Sequence, residues 1–161
     1  MKIKYSILGY SIFFISSCIS HQNNEMKSII NEFHNKKINF NENIKYFIIL
    51  PEVGCGGCIS EGTDFIKRNI EKFNCTNKEI KVVFTSIVSK KILLRTLGID
   101  SFDNYCFEID ESNVYRINNP KSIYPLILYL NKGKIINIEF QYPDNSNAFS
   151  ILENKFNLLQ K

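Results

Sequence analysis

The feature that most constrains this chain is a pair of cysteines separated by two glycines, Cys55-Gly56-Gly57-Cys58. The motif follows a short, nearly all-apolar run, IKYFIIL at residues 44–50, and opens a helical apolar pattern over residues 58–73. With this spacing both sulfur atoms can meet over the first helical turn, where unpaired N–H groups and a positive partial charge favour a thiolate. A strand that ends at such a pair and continues as a helix predicts a redox site.

The two cysteines are predicted to have different roles. Cys55 precedes the helix, so we expect it to be the more exposed thiol, to have the lower pKa and to act as the nucleophile. Cys58 begins the helix, so we expect it to be protected and to resolve the mixed disulfide that Cys55 forms. Because the dithiol itself carries two electrons, no organic cofactor is implied.

The remaining sequence alternates between helix and strand patterns. Helices are predicted where apolar residues recur at helical spacing, over residues 25–36, 58–73, 89–97 and 147–159. Strands are predicted at short apolar runs rich in β-branched residues, at 44–50, 80–87, 105–109, 126–130 and 134–140. Gly98 is a plausible helix C-cap, and Asn131-Lys132-Gly133 is a hairpin signal. This order favours an α/β domain with helices on both faces of a mixed sheet.

Composition limits the class of protein. The chain has 161 residues, 44% of them hydrophobic, which suits one globular domain. No apolar run reaches the roughly 18 residues that a conventional spanning helix needs. The formal net charge is +4 with acids and bases mixed, so there is no basic stripe and no nucleic-acid partner is expected.

The first twenty residues, MKIKYSILGYSIFFISSCIS, have the layout of a secretory signal. Lys2 and Lys4 form a positive n-region, and residues 7–15 form a short apolar core. The ending Ile15-Ser16-Ser17-Cys18 resembles the lipobox of bacterial lipoproteins, in which the signal is cut before the cysteine and the cysteine carries the lipids. The alternative is an ordinary cleaved signal in which Cys18 is incidental.

The lipobox resemblance implies a signal peptide over residues 1–17 and lipid attachment at Cys18, followed by a tether and helix over residues 18–43. Two or more acyl chains give stable membrane attachment. The domain is then expected in the bacterial cell envelope, lipid-anchored and facing the periplasm, where disulfides persist.

The strand–CxxC–helix junction resembles that of the thioredoxin-like superfamily, particularly the membrane-anchored thiol–disulfide oxidoreductases of bacterial envelopes. A second match is YPLILYLNKG at residues 124–133, which resembles the family's cis-proline strand and its turn. The resemblance covers residues 44–159 and implies a single thioredoxin-like domain over 44–161. It also implies a cis bond between Tyr124 and Pro125, with this substrate loop facing the cysteines. The alternative for Pro125 is a simple strand start.

The same resemblance implies thiol–disulfide exchange on protein substrates outside the cytoplasm and a membrane-bound redox partner that resets the pair. Two positions depart from the family pattern. Gly54 stands where the family usually has Trp, and Ile49 occupies the place of the buried Asp of thioredoxin. Glu52 and Glu61 flank the motif and are candidates for proton transfer. Oxidation, reduction and isomerisation all remain open as the direction of exchange.

Two other interpretations of the motif stay open. A CxxC pair can be half of a zinc site, but no second close pair exists among the other candidate ligands, which are Cys75, Cys106, His21 and His34. The pair can also be a non-catalytic disulfide on a lipid-tethered binding module. Cys75 and Cys106 are equally compatible with a disulfide between them and with burial as small apolar side chains.

Overall fold

The computed structural model describes residues 24–74, 78–145 and 147–158. The expected signal peptide, Cys18 and Cys75 lie outside these residues. The described helices are α1 over residues 24–35, α2 (Gly56–Arg68), α3 (Lys90–Leu97) and α4 (Ala148–Leu158). The described strands are β1 (Tyr46–Pro51), β2 (Ile80–Thr85), β3 (Phe107–Asp110), β4 (Leu126–Asn131) and β5 (Lys134–Phe140). Single 3₁₀ turns occur at Ile70–Phe73 and Pro120–Ile123.

The five strands form one mixed sheet in the order β3-β2-β1-β4-β5. β1, β2 and β3 run parallel, whereas β4 is antiparallel to β1 and β5 is antiparallel to β4. The central position of β1 explains its composition, because five of its six residues are buried. The sheet is of the mixed type that the sequence predicts, and it makes the chain a single α/β domain.

Alternate side chains of β1 enter two different cores, one on each face of the sheet. Ile48 and Leu50 pack in a cluster that includes buried residues of α2, α3 and α4. Phe47 and Ile49 pack in a second cluster with Ile29 and Phe33 of α1. Helices therefore cover both faces, as expected. The same packing makes α1 part of the folded domain, which thus begins before residue 44.

Caps and turns define the ends of several elements, and two of them, at Gly98 and at Asn131-Lys132-Gly133, are the ones that the sequence predicts. Ser89 caps α3 by accepting a hydrogen bond from the backbone N of Ile92, at 3.4 Å. Gly98 ends α3 in the left-handed region, with φ of 71°. Lys132 and Gly133 also have positive φ, 49° and 73°, as a two-residue hairpin turn requires.

The second helix is shorter than the predicted span of 58–73. α2 ends at Arg68, and its apolar pattern continues through the 3₁₀ turn Ile70–Phe73. Asn69 breaks the helix: its side-chain nitrogen donates to the carbonyl of Phe65 at 3.0 Å and to Glu153 at 3.1 Å. This buried amide competes with the next helical turn for backbone groups. No described helix is both long and apolar enough to cross a membrane.

Gly62 lets α2 lie close to the sheet. A Cβ atom at this position would stand 2.6 Å from Cδ1 of Leu50 and 2.9 Å from Cζ of Phe149. Both distances are shorter than a normal contact between carbon atoms. Because residue 62 has no side chain, α2 can pack closely against β1 and α4.

Candidate redox site at the Cys55–Cys58 disulfide

Cys55 and Cys58 form a disulfide at the junction of β1 and α2, with their Cα atoms 5.4 Å apart. That separation is within the ordinary range for disulfides. Cys55 is the N-cap of α2, with extended backbone angles of −70° and 98°, and Cys58 lies in the first helical turn. The structure therefore brings the sulfur atoms of the two predicted site residues together at the start of α2.

The two sulfur-bearing residues differ in exposure. Cys58 is 5% exposed and contributes to the buried set of α2, whereas Cys55 is half-buried. Gly56 and Gly57 are exposed, and a Cβ atom on either would meet no heavy atom within 4 Å. An incoming thiol therefore has open access on the Cys55 side. The exposure order is the one that the sequence predicts.

The start of α2 favours a negative charge on Cys55. The Cys55 side chain makes no capping hydrogen bond, and the first turn contains no acidic residue. The first helical bond is that from the backbone N of Ile59 to the carbonyl of Cys55, at 2.9 Å. The N–H groups before Ile59 therefore lack helical partners, and together with the helix dipole they stabilise a thiolate at this position.

Gly54 allows a second backbone to lie against the motif. A Cβ atom on Gly54, whose φ is +155°, would stand 2.2 Å from the carbonyl oxygen of Ile123. The same oxygen accepts a hydrogen bond from the backbone N of Cys55 at 3.1 Å. No larger residue fits this contact, which accounts for the glycine where the thioredoxin-like family usually has Trp. Ile123 is a site residue that the sequence analysis missed.

The predicted cis bond at Tyr124–Pro125 is wrong: this peptide bond is trans, and the described residues contain no cis bond. Tyr124 has φ of −107° and ψ of 149°, the extended region that a residue before proline favours. The loop still adjoins the motif, because Ile123 immediately precedes Tyr124 and binds Cys55. Pro125 leads directly into β4, and its carbonyl accepts from the backbone N of Gln141 at 2.9 Å.

The two flanking carboxylates have structural partners. Glu52 accepts hydrogen bonds from the backbone N of Val88 and, at 3.2 Å, from that of Ser89. It thereby ties the end of β1 to the start of α3. Glu61 accepts from the side-chain nitrogen of Gln141. Ile49 is 5% exposed and packs in the α1 cluster, on the opposite face of the sheet from α2.

Gln141 is a second residue that the sequence analysis missed. It is 1% exposed and follows β5 directly. Besides its bonds to Glu61 and Pro125, its side-chain oxygen accepts from the backbone N of Phe149 at 3.4 Å. The side-chain amide of Gln141 thus joins α2 to the first turn of α4, and its backbone N–H binds the residue before β4. A single Gln after an apolar strand gives no sequence signal for such a role.

Several exposed aliphatic residues lie on the segments that adjoin the motif. Four of the seven large apolar residues that are exposed in the described chain form what we call the apolar rim: Val53, Val88, Ile92 and Ile123. Their exposed fractions run from 41% to 73%. Val53 adjoins Gly54, and Ile123 contacts it. Val88 is bonded to Glu52, and Ile92 lies one turn into the helix that Glu52 helps to fix.

The two other candidate ligands that the structure describes, His34 and Cys106, lie outside β1, α2 and the cysteine motif. His34 is exposed on α1. Cys106 is half-buried just before β3, where its backbone N donates to the carbonyl of Phe73 at 2.7 Å. His21 and Cys75 lie outside the described residues, so both alternatives for Cys75 and Cys106, a disulfide or separate burial, stay open. Within residues 24–74, 78–145 and 147–158, no three His, Cys, Asp or Glu side chains are grouped to hold a metal ion.

Comparison with known proteins assigns no family. No protein-family model, no curated protein and no solved structure matches this chain. A mixed α/β sheet with a close Cys55–Cys58 disulfide is compatible with a thioredoxin-like fold and with a redox function.

Proposed function

We propose that the protein is a thiol–disulfide oxidoreductase of the thioredoxin-like type, with Cys55 as nucleophile and Cys58 as resolving thiol. One observation carries the proposal: the disulfide lies at an uncapped helix N-terminus, with Cys55 half-buried and Cys58 buried. A helix N-terminus favours the thiolate form of an accessible cysteine, and the buried position of Cys58 keeps the second thiol in reserve. A disulfide that served only to staple the fold would need neither property.

The proposed exchange begins with the reduced dithiol. The Cys55 thiolate attacks a substrate disulfide, forms a mixed disulfide and releases one substrate thiolate, which takes a proton. Cys58 then loses its proton and attacks the sulfur of Cys55. The second substrate thiolate leaves, and the Cys55–Cys58 disulfide forms. Two electrons have passed to the substrate, and the reverse sequence oxidises a substrate dithiol. The reduction potential of the pair against its partners sets the direction.

The apolar rim supports a protein as the substrate. Isolated exposed aliphatic residues are common, but here four of the seven exposed ones in the described chain lie on segments that adjoin the motif. These segments are the end of β1, the start of α3 that Glu52 ties to it, and the turn that ends at Ile123. A small hydrophilic thiol would gain nothing from such a border. We propose that the rim receives a chain segment whose cysteine is flanked by apolar side chains.

We further propose that the domain faces the periplasm of the bacterial cell envelope, tethered to a membrane by lipids on Cys18. A membrane-bound redox partner would then reset the dithiol after each turnover. Changing Cys18 to Ala is expected to abolish lipid labelling and to release the chain from membranes. Undiminished labelling of the variant would refute Cys18 as the lipid site.

The decisive test of the exchange mechanism is a trapping experiment. Cys58→Ser leaves Cys55 able to form a mixed disulfide but unable to release it, so partner proteins should accumulate as adducts that reductant removes. Cys55→Ser is the matched control and should trap nothing. Both variants should lose turnover. Loss of stability without any adduct from Cys58→Ser would favour a binding module with a non-catalytic disulfide. Loss of bound zinc from either variant would favour a metal site.

A further inference from the structure

We propose that helix α1 is a positioning element for the dithiol and that Lys121 and Glu25 are its key positioning residues. The loop segment over residues 116–123 carries the carbonyl of Ile123, which binds the backbone N of Cys55. The role rests on the proposed function, since it concerns the reactivity of Cys55. No feature of the cysteine motif itself indicates it.

One flank of α1 contacts this segment at three points. Glu25 pairs with Lys121 at 2.7 Å, Glu32 accepts from the backbone N of Asn118 at 2.7 Å, and Lys36 donates to the carbonyl of Arg116. Glu25 and Glu32 lie in α1 and Lys36 follows it directly, so the three residues are separated by seven and then four positions. That spacing places them along one side of a helix. The adjoining side, with Ile29 and Phe33, is anchored in the core.

The Lys121–Glu25 pair is better sheltered than an ordinary surface ion pair. The side chains are 34% and 15% exposed, respectively. The Lys121 ammonium also lies 5.2 Å from the ring centre of Phe140 and 5.5 Å from that of Tyr142. Two aromatic faces and one carboxylate therefore hold it, and cation–π attraction is strongest where water is partly excluded.

This contact is two residues from the bond that orients Cys55. Lys121 lies in the 3₁₀ turn Pro120–Ile123, whose last residue supplies the acceptor carbonyl. A single 3₁₀ turn has little stability of its own, so its position depends on what holds it from outside. Holding Lys121 thus holds Ile123, and Ile123 keeps Cys55 in the N-cap geometry in which the helix N–H groups favour its thiolate.

Hydrogen exchange of the Cys55 amide in the oxidised whole chain tests this directly. Lys121→Met keeps the length of the side chain and its apolar stem but removes the charge. We expect it to speed exchange of the Cys55 amide about fivefold, the scale of a sheltered ion pair. Glu25→Gln should have a similar effect, and Lys121→Arg should restore slow exchange. The exchange rate of the Ile66 amide, inside α2, reports global opening of the domain. It should rise less than that of the Cys55 amide.

Lys45→Met is the matched control. Lys45 pairs with Glu79 at 2.6 Å, but it precedes β1 and so lies at the opposite end of that strand from Cys55. It should leave the Cys55 amide unchanged. Equal Cys55 exchange in Lys121→Met and wild type would overturn the proposal. So would changes at Cys55 that only parallel those at Ile66.

A second measurement separates failure of this inference from failure of the proposed function. The rate of Cys55 alkylation in the reduced chain, followed against pH, gives the thiol pKa of each variant. Lys121→Met should move this pKa upward toward its ordinary value, and Lys45→Met should not. A lowered pKa in the wild type that Lys121→Met leaves unaltered would refute the positioning role alone. An unreactive Cys55 in the wild type would refute the proposed function itself.

Discussion

Two very different elements flank the disulfide. On one side is α2, a helix of 13 residues whose Phe65 and Ile66 are fully buried between the sheet and α4. On the other side is the loop segment over residues 116–123, which contributes one buried apolar side chain, Ile117, to the opposite core. Burial of large side chains, each worth roughly 1.5–3 kcal/mol, fixes the helix side. Charged pairs and backbone hydrogen bonds, each worth about 1 kcal/mol or less, fix the loop side.

The difference suggests how the two cysteines acquire separate properties. Cys58 belongs to the helix side and is buried with the other core residues of α2. Cys55 lies between the two sides: its carbonyl accepts from the first turn of α2, and its backbone N donates to the carbonyl of Ile123. Disturbing the helix side should therefore unfold the domain. Disturbing the loop side should change the chemistry of Cys55 at a smaller cost in stability.

The largest effect is expected from Phe65→Ala. Phe65 is fully buried; its ring packs edge-to-face against Phe73 and at a tilt against Phe149, with ring centres 6.0 Å and 5.1 Å away. Removing such a ring leaves a cavity, which costs about 3–5 kcal/mol of unfolding free energy. Urea denaturation measures this loss. A loss below about 1 kcal/mol would show that apolar burial does not dominate the helix side.

Gly54→Ala should have the next largest effect and should act on the loop side. The added methyl would overlap the carbonyl of Ile123, so the backbones must separate at a cost of about 1–3 kcal/mol. The Cys55 thiol pKa should also rise, because its bond to Ile123 would be broken. Gly57→Ala is the matched control: its methyl enters open space in a helix, so stability should rise by roughly 0.5–1 kcal/mol. Equal stabilities of the two variants would contradict the close approach at Gly54.

The helix side of the site is also the side that sequence reasoning predicts well. β1, the Gly-Gly spacing and the apolar face of α2 are contiguous in the chain, so their geometry follows from local periodicity and helix-end chemistry. A helix opening at the motif and the exposure order of Cys55 and Cys58 could be predicted for that reason, although α2 begins at Gly56, two residues before the predicted start. The extent of α2 could not, because Asn69 ends it through a bond to Glu153, a residue 84 positions away.

The loop side could not be predicted, since it is built from contacts between distant residues. Ile123 O meets Cys55 N across 68 positions, and Glu25 meets Lys121 across 96. The prediction of a cis bond at Pro125 came from the family resemblance and is wrong for this chain. Gly54 was noted as a departure from that family. Only the contact with Ile123 shows why a glycine is needed there.

Added salt should change amide exchange on the loop side but not on the helix side, with a smaller effect than the substitutions above. Raising the ionic strength from 0.1 M to 1 M shortens the screening length from about 10 Å to about 3 Å. Exchange of the Cys55 amide should therefore quicken by about twofold, because each of the three contacts with the loop segment uses a charged side chain and one of them is an ion pair. Exchange of the Ile66 amide should stay constant or slow slightly. Equal responses would mean that the loop side is not held by charge.

The smallest expected change in stability comes from an ionic contact at the C-terminal end of α2. Glu153 of α4 accepts from Asn69 and pairs with Arg68 at 3.4 Å. The hydrogen bond from Asn69, with Arg68 adding to it, lowers the pKa of the Glu153 carboxyl. Because this pKa is lower in the folded chain than in the unfolded one, the contribution to stability is fully present above the unfolded value. It is lost as pH falls through the folded value.

Glu153→Gln should therefore destabilise the chain at pH 7 by less than about 1 kcal/mol, since the carboxylate is partly exposed. The difference from wild type should shrink as pH falls below the ordinary range of a glutamate. Urea midpoints of both proteins across that range measure it. The Cys55 thiol pKa should be the same in both, because this contact lies at the opposite end of α2 from the disulfide. A shifted thiol pKa in Glu153→Gln would show that the helix side transmits charge changes along its length, and the division between a rigid side and a tunable side would not hold.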